Sequence, residues 1–318
     1  MNERRTLRVR SMVREAEGIL GLELVPLTPD TPLPAAEPGA HVDLHLGSGC
    51  ARSYSLTNPG ERDRWTVAVN LDAASRGGSK WIHESLQPGA TLEVEGPRNH
   101  FVLDETAPHS VLIAGGIGVT PLLAMARRLA ALGKSWSLHY AARSRAKMAF
   151  ADTLGELARR SGARLDLRCD HEGDAPLDLA AIVAALPEGA HVYACGPVGM
   201  LAAFEAATAG LAPERVHLEH FAPTQQAATA GGYTVKLARD GRSVPIAPGR
   251  SILDALIGIG LNPPHSCREG TCGSCEARVV EGTPDHRDEV LTDAEQAEGK
   301  RMMICCSGSK SPLLVLDL

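Results

Sequence analysis

The first hundred residues alternate short apolar runs with breaks that are rich in Pro and Gly. Within each run apolar and polar positions alternate, which is the period of a strand that buries one face. A helical period occurs only around Ser79–Leu86. The strands predicted on this basis are Leu20–Val25, His41–Leu46, Trp65–Val69 and Thr91–Val94. Short strands at regular spacing favour a small antiparallel β-barrel.

From Ser110 the pattern changes to strands that alternate with helices. An apolar strand, Val111–Ala114, runs into a glycine-rich turn, and a helix is predicted over Leu122–Leu132 with Thr120 as its N-cap. This alternation predicts an α/β domain with a doubly wound parallel sheet. Its further strands are predicted at Trp136–Ala142, Arg164–Cys169, His191–Ala194 and Val216–Glu219, and its further helices at Asp152–Arg160, Leu179–Leu186 and Val198–Ala209.

A small, polar segment without a hydrophobic period predicts a flexible linker before a third domain. Beyond it we expect a hairpin around Asp240-Gly241, a helix that begins after a Ser251 cap, and a terminal strand over Leu313–Leu318. The predicted boundaries are 1–106 for the barrel, 107–222 for the α/β domain, 223–232 for the linker and 233–318 for the third domain.

Charge and composition exclude several classes of protein. The chain has 318 residues, 32 of them basic and 38 acidic, and no basic block, which argues against a nucleic-acid partner. The longest apolar run, Val111–Ala126, contains Gly, Thr and Pro and is too short for a membrane span, and the first residues lack the apolar stretch of a signal peptide. We therefore expect a cytoplasmic protein, in which disulfides are rare.

Eight cysteines in a reducing compartment favour metal or cluster ligation. Cys267, Cys272, Cys275 and Cys305 have the Cys-x₄-Cys-x₂-Cys…Cys spacing of a plant-type [2Fe–2S] site. The alternatives are a structural zinc site, which more usually shows two tight pairs, and disulfides. Cys306 competes for the fourth position, but the spacing favours Cys305, and in a strand-like segment Cys306 points the other way.

Two short segments of the barrel predict a phosphate site beside a flat ring. Arg52-Ser53-Tyr54-Ser55 offers a guanidinium, an aromatic ring and hydroxyls, and Gly77-Gly78-Ser79 forms a glycine-rich turn before a short helix. Such a set can bind a phosphate and a planar ring together. Either segment alone is equally consistent with an ordinary strand or turn, so their joint occurrence ahead of an α/β unit carries the prediction.

The ends of the predicted parallel strands mark a nucleotide site. Ligands bind at the carboxyl ends of the strands in an open parallel sheet. The Gly116-x-Gly118 fragment by itself is incomplete, because Pro121 occupies the third glycine position. The candidate residues at these ends are Gly115, Arg143, Asp170, Cys195, Gly196, Pro197, Glu219, His220 and Phe221.

These motifs resemble known families. The third domain resembles a plant-type ferredoxin, a β-grasp fold, and the first two resemble the flavin and nicotinamide domains of the ferredoxin-NADP reductase superfamily. The domain order resembles the phthalate dioxygenase reductase type, which uses FMN rather than FAD. The resemblance implies that Arg52 and Gly77-Gly78-Ser79 bind the flavin phosphate, that Tyr54 packs on the flavin ring and that Ser55 lies near the reactive N5.

The same resemblance assigns the nicotinamide site. It implies that the pyrophosphate lies at Gly116–Thr120, the nicotinamide near Thr120 and Cys195, and Phe221 near the flavin ring. We therefore expect catalytic roles for Ser55, Cys195 and Phe221. Asp170 favours NADH because it can accept hydrogen bonds from ribose hydroxyls, whereas Arg143 and Arg145 leave a 2′-phosphate, and hence NADPH, as the alternative.

Three redox groups in one chain have a simple functional meaning. A nicotinamide gives two electrons as a hydride, a [2Fe–2S] cluster takes one at a time, and a flavin can do both. The resemblance implies the NADH-dependent reductase component of a two-component Rieske-type oxygenase or demethylase, with the terminal oxygenase as partner and a monomeric reductase. The alternatives are a stand-alone flavoprotein that serves another acceptor, such as a haem monooxygenase, and a non-enzymatic iron–sulfur sensor.

Residues 281–298 add one expectation about the partner. They hold seven acidic residues against Arg287, a net charge of −6 that equals that of the whole chain. This segment is either a docking face for a basic patch on the oxygenase or an ordinary solvated loop and helix. The resemblance fails at Cys305-Cys306-Ser307-Gly308, where relatives often carry Arg soon after the fourth cysteine, so the partner surface is expected to differ.

Overall fold

The computed structural model describes residues 4–28, 31–47, 49–72, 76–170 and 172–318. The chain divides into two compact units, Met1–Phe221 and Ala222–Leu318. The first unit holds the barrel and the α/β domain, and the second holds the cysteine-rich domain. Within the described ranges, no helix has the length and apolar character needed to cross a membrane.

The barrel begins with a long strand that the hydrophobic pattern did not predict. In this strand Leu7 and Val9 are buried, but arginines flank both of them and the apolar signal is weak. The barrel elements are β1 (Arg4–Ala16), β2 (Ile19–Pro26), β3 (His41–His45), β4 (Ala51–Ser55), β5 (Trp65–Asn70), α1 (Gly78–Glu84) and β6 (Thr91–Arg98). The strands pair in the order β4-β3-β6-β1-β2-β5, and a bridge between Leu56 and Val67 joins the two ends of this sheet.

The α/β domain forms the predicted parallel sheet, in the order β11-β10-β7-β8-β9. Its elements are β7 (Ser110–Gly115), α2 (Val119–Ala131), β8 (Trp136–Ala142), α3 (Ala151–Ser161), β9 (Arg164–Cys169), α4 (Leu179–Ala184), β10 (His191–Cys195), α5 (Val198–Thr208) and β11 (Val216–Glu219). Central strand β7 is buried on both faces, Leu112 packing toward α2 and α3 and Ile113 toward α4 and α5.

The prediction that Thr120 caps α2 is wrong. A 3₁₀ turn over Gly116–Gly118 leads directly into the helix, so Gly118 occupies the cap position and Thr120 lies inside the first turn. The Thr120 hydroxyl donates back to the Ile117 carbonyl at 3.0 Å. Sequence alone favoured Thr120 because Pro121 suits a first helical position, but the glycine turn had already begun the helix.

The second unit is a β-grasp. Its elements are β12 (Tyr233–Leu237), β13 (Ser243–Ile246), α6 (Ile252–Gly258), β14 (Glu276–Glu281), β15 (Pro284–Asp285), α7 (Asp293–Glu298), β16 (Arg301–Met303), β17 (Gly308–Ser309) and β18 (Leu313–Leu316). The main sheet has the order β13-β12-β18-β14-β16, with β12 and β18 parallel. Ser251 caps α6 as predicted, since its hydroxyl accepts from the Asp254 amide at 3.1 Å.

Residues 223–232, which were predicted to be a flexible linker, are hydrogen-bonded along the second unit. The amide and hydroxyl of Thr224 donate to Glu289 Oε1 at 2.7 and 2.5 Å. The Ala228 amide donates to the Cys306 carbonyl at 2.7 Å. Much of this attachment consists of backbone hydrogen bonds, which a pattern of hydrophobic residues cannot predict.

Candidate redox sites

Four buried thiols come together in the second unit. The Cys272 thiol contacts Cys267, and the Cys275 thiol contacts Cys305 and lies within electrostatic range of Cys272. The neighbouring thiol, and then burial, raise the pKa of Cys272 and of Cys275 well above the usual range. Thiols in this setting ionise when a metal centre supplies positive charge, so the donor set fits an iron–sulfur cluster.

The loop between Cys267 and Cys272 packs against Cys306. At Gly270, where φ is 78°, a Cβ would lie 2.5 Å from Cys306 Sγ. The Cys306 thiol donates to the Met303 carbonyl at 3.7 Å. Residues 304–306 form a turn and not the expected strand, so the turn and not strand alternation separates the two thiols. Cys305 is thus in contact with Cys275, whereas Cys306 packs against Gly270 of the loop.

The two predicted flavin segments meet in the barrel. A Cβ on Gly78 would lie 2.8 Å from Arg52 Cγ and 3.1 Å from Arg52 Nε, so the arginine stem rests on this glycine. Gly77 has a φ of 100° and directly precedes α1. The Ser79 hydroxyl accepts from the Asp72 amide at 3.2 Å. Arg52, Gly77, Gly78 and Ser79 are therefore brought together into one cradle, whose guanidinium and glycine turn are suited to a phosphate.

Strand alternation on β4 divides its side chains between two faces. Arg52 and Tyr54 share one face, and Ser53 lies on the other, where its hydroxyl donates to Asp43 Oδ1 at 2.5 Å. Asp43 is only 1% exposed and is paired with Arg98. The Ser53 hydroxyl is thus hydrogen-bonded within the barrel, and the backbone of this residue is the part that can contact a cofactor.

Tyr54 and Ser55 lie at the carboxyl end of β4. In the sequence this strand precedes the α/β domain of the same unit. Tyr54 is half-buried, and burial raises the pKa of its phenol well above the usual range. Ser55 is buried and its backbone pairs with His41 of β3. A neutral phenol beside a buried hydroxyl is suited to a flat, uncharged ring.

Two glycine turns touch at the carboxyl ends of β7 and β10. A Cβ on Gly118 would lie 2.2 Å from the Cys195 carbonyl oxygen, and one on Gly115 would lie 2.6 Å from Pro197 Cδ. A Cβ on Gly196 would lie 3.0 Å from Gly115 Cα. Glycine is therefore required at these positions by close backbone approach. The predicted nucleotide residues of β7 and β10 are thus brought together.

A half-buried glutamate, for which the sequence predicted no role, lies beside the buried Cys195. Cys195 is fully buried, and burial raises the pKa of its thiol. Glu219 is its register partner on β11, and burial raises the pKa of that carboxyl to about 8. Phe221, two residues on, is 40% exposed. The available sequence signal for Glu219 was its position at a strand end, just before an aromatic residue.

At the carboxyl ends of β8 and β9 the candidate residues are exposed, and Arg145 is hydrogen-bonded to neighbouring carboxylates. Arg143 and Asp170 are both exposed. The Arg145 guanidinium donates to Asp152 Oδ1 at 3.0 Å, and its amide donates to Glu172 Oε1 at 3.0 Å. Glu172 was not among the sequence candidates, and it adds a second carboxylate beside Asp170 in the chain.

Comparisons with known proteins agree with this geometry. The 2Fe-2S iron-sulfur cluster binding domain matches residues 235–309, and the oxidoreductase NAD-binding domain matches residues 112–206. The first match confirms the cluster and removes the zinc and disulfide alternatives. With the barrel ahead of them, these domains define the class of protein as a nicotinamide-dependent flavin and iron–sulfur oxidoreductase.

Whole-chain relatives define the family. The chain is 54% identical over 314 residues to the phenoxybenzoate dioxygenase subunit beta of Ectopseudomonas oleovorans, covering 98% of this chain and 97% of that protein. It is 48% identical, at the same coverage, to the tetrachlorobenzoquinone reductase of Sphingobium chlorophenolicum. A solved phthalate dioxygenase reductase matches with 38% identity and a TM-score of 0.73, covering 98% of this chain and 97% of that one.

The chain therefore belongs to the phthalate dioxygenase reductase family. The predicted barrel, α/β and β-grasp architecture is confirmed, and so are the cofactors FMN, NADH and a [2Fe–2S] cluster. Its function is that of the reductase component of an oxygenase system. A stand-alone flavoprotein with an unrelated acceptor is less supported by these relatives.

Proposed function

We propose that the chain delivers single electrons from NADH to a terminal Rieske-type oxygenase, through the residues assigned below. The observation that carries the proposal is the packing of Arg52 on Gly78 in the unit that also holds the paired glycine turns. FMN takes a hydride from NADH and releases single electrons to the cluster, which is the chemistry these groups supply when bound.

In this proposal the Arg52 guanidinium binds the flavin phosphate, for which its planar fork is suited. Gly77, Gly78 and Ser79 line the same phosphate, and Tyr54 packs on the ring. Extraction of FMN from Arg52→Ala is the test. We expect the flavin content to fall while the visible spectrum of the cluster is retained, because the thiols lie in a separate unit. Wild-type FMN content in the variant would contradict the assignment.

Ser55 is proposed to lie near the flavin N5, where its buried hydroxyl can hydrogen-bond to the reacting edge. Gly116–Thr120 is proposed to hold the pyrophosphate, with Thr120 and the Cys195 thiol beside the nicotinamide. The raised pKa of the Glu219 carboxyl supports this role, because an ionised carboxylate would place an unpaired charge beside the buried Cys195. Phe221 is proposed to cover the flavin ring until nucleotide binds.

We propose NADH specificity at Asp170, which can accept hydrogen bonds from the ribose hydroxyls. The engagement of Arg145 by Asp152 supports this choice, since that guanidinium is not held ready for a 2′-phosphate. Limiting rates of flavin reduction with NADH and NADPH test it. We expect Asp170→Asn to weaken NADH binding, and equal use of both nucleotides by the wild type would contradict the proposal.

The oxygenase assignment is tested by anaerobic reduction followed by mixing with a candidate Rieske partner. NADH should bleach the flavin first and then the cluster, and the partner should reoxidise both. A flavin that NADH fails to bleach would refute the reductase role and leave a sensor. Because one relative is named a tetrachlorobenzoquinone reductase, a halogenated quinone is the second candidate acceptor, and steady-state turnover with the quinone but not with the oxygenase would favour it.

We further propose a monomeric, cytoplasmic reductase. The cluster-binding domain supports a reducing compartment, where cysteines more often bind metal than form disulfides. Light scattering and cell fractionation test the two statements, and a stable dimer or a membrane-bound fraction would contradict them.

A further inference from the structure

Arg127, on the nicotinamide helix α2, reaches across to the flavin barrel. Its Nη1 donates to the carbonyl oxygen of Thr57 at 2.6 Å. Thr57 lies two residues beyond Ser55, just after β4. The donor is a cation, so this bond is shorter and stronger than one between neutral groups. It therefore ties the helix that follows the pyrophosphate turn to the segment that carries Tyr54 and Ser55.

The acceptor side of this contact is rigid. The Thr57 amide donates to the Thr66 carbonyl at 2.9 Å, and the two threonine hydroxyls share a hydrogen bond of 2.7 Å. Asn58 donates to the Arg64 carbonyl at 3.1 Å and accepts from the Thr66 amide at 2.8 Å. Thr57 and Asn58 are each 3% exposed. The Thr57 carbonyl is thus a fixed point on the barrel.

The donor side carries a charge that is costly to leave unpaired. Arg127 is half-buried and lines a cavity of about 290 Å³ together with Glu15, Glu61 and Phe150. Burial lowers the pKa of the guanidinium, and the charges of Glu61 and Glu15 oppose that shift. A partly desolvated cation that donates to a buried carbonyl, with two carboxylates in electrostatic range, is held in one place, because moving away would cost the cation these interactions.

Helix geometry connects Arg127 to the nicotinamide site. Thr120 and Arg127 are seven residues apart, which is two turns and about 10 Å along one face of the helix. Residues 119–126 are all buried, so α2 moves as a rigid body. A displacement at Arg127 therefore displaces Thr120 and the turn before it.

We propose that Arg127 is a positioning residue for hydride transfer, which sets the place of the nicotinamide relative to the flavin ring. The inference rests on the proposed nucleotide and flavin sites. Other contacts hold the two domains together without it: the Glu17 amide donates to the Ala146 carbonyl at 2.7 Å, and Ile19, Ala68 and Ala149 share an apolar cluster. Loss of Arg127 should thus misplace α2 without separating the domains.

The test compares Arg127→Met and Arg127→Lys with Arg128→Met in the FMN- and cluster-loaded protein. Arg128 is the adjacent arginine of the same helix, but it is exposed and pairs with Glu105. A misplacement of about 1 Å costs about 100-fold in rate. We expect Arg127→Met to lower the limiting rate of flavin reduction about 10- to 100-fold while the Kd for NADH changes by less than about threefold. Arg127→Lys should fall between, and Arg128→Met should match wild type.

Two readouts do not depend on turnover. NAD⁺ transfers no hydride, so the change it causes in the absorbance of oxidised flavin reports ring placement alone, and it should shrink in Arg127→Met. Amide hydrogen exchange across residues 119–131 should rise in the same variant without nucleotide. A wild-type limiting rate, an equal loss of NADH affinity, or an unchanged NAD⁺ difference spectrum would each overturn the proposal.

If Arg127→Met does not fold, the lysine variant decides: a wild-type rate overturns the proposal, and a reduced rate with retained affinity supports it. Failure of the underlying function would look different, because wild-type protein would then not reduce its flavin with NADH.

Discussion

Gly78→Ala is the sharpest test of the flavin cradle, because it adds one methyl group at the point where the two flavin segments touch. That Cβ would lie 2.8 Å from Arg52 Cγ and 3.1 Å from Nε. Ordinary carbon contacts lie between about 3.5 and 4.0 Å. Gly78 is not among the glycines with a positive φ, so alanine fits its backbone. The substitution therefore acts by pushing the arginine stem away.

The size of the effect follows from what Arg52 contributes to phosphate binding. A hydrogen bond to a charged group contributes about 1.5–3 kcal/mol, and 1.4 kcal/mol is a tenfold change in affinity. If the displaced guanidinium loses its bond to the phosphate, the Kd for FMN should rise between about 10- and 150-fold. Alanine in the first turn of α1 should otherwise favour the helix slightly.

Quenching of FMN fluorescence on addition to flavin-free protein measures this Kd. Gly155→Ala is the control, because Gly155 lies inside α3 with open space around its missing Cβ. The double variant with Arg52→Ala separates the causes: it should bind FMN no more weakly than Arg52→Ala alone. A wild-type Kd in Gly78→Ala, or fully additive losses in the double variant, would refute the reasoning.

Three further predictions concern the cluster and the buried carboxyl. Cys272→Ser should lose the [2Fe–2S] absorbance and electron transfer to one-electron acceptors but keep flavin reduction by NADH. Stopped-flow spectra measure both, and a loss of flavin reduction in the folded variant would show that the units depend on each other. Cys305→Ser should lose the cluster, whereas Cys306→Ser should retain it, as iron and sulfide analysis will show. Burial raises the pKa of Glu219 from 4.5 to about 8, so stability should fall by at most about 5 kcal/mol as pH rises from 4.5 through 8. Glu219→Gln should flatten that profile of melting temperature against pH; an unchanged slope would contradict the assignment.

The parts of the fold that the sequence predicted are those whose physical cause is local. The strand and helix alternation of the α/β domain follows from hydrophobic period, and β8, β9 and β11 have the predicted bounds. The cysteine spacing itself predicts a shared site. Residues that bind one cluster either lie close together in the sequence or are brought back to each other by the fold. Arg52 and Gly78 are 26 positions apart, so their joint site was predicted from complementary chemistry and from the resemblance, and not from local pattern.

The missed features depend on partners that are distant in sequence. Strand β1 is recognised by its pairing with β2 and β6 and not by its own apolar content. The proposed role of Glu219 depends on its place beside Cys195 in the sheet, and a single glutamate at a strand end carries no sign of that neighbour. Arg127 was not among the sequence candidates, and the fold is needed to show that it reaches the barrel.

In the acidic segment 281–298, the number of acidic residues overstates the negative electrostatic field, because several of these residues are paired or buried. Glu295 belongs to the capping box of α7 with Thr292, and it also pairs with Arg301. Asp288 is buried and accepts from the Leu291 amide at 2.9 Å. When Lys300, which pairs with Glu298, and Arg301 are included, the net charge over residues 281–301 is −4 and not −6.

This pairing changes how the docking hypothesis should be tested. Glu295→Gln would weaken the cap of α7 as well as remove a charge, so a loss of activity would not separate docking from folding. Asp293 lies exposed in the first turn of the same helix. Steering by exposed charge weakens as salt screens it, over about 10 Å at 0.1 M. A flatter salt dependence of oxygenase reduction in Asp293→Asn than in wild type would therefore assign docking to this face, and matching curves would exclude Asp293 from it.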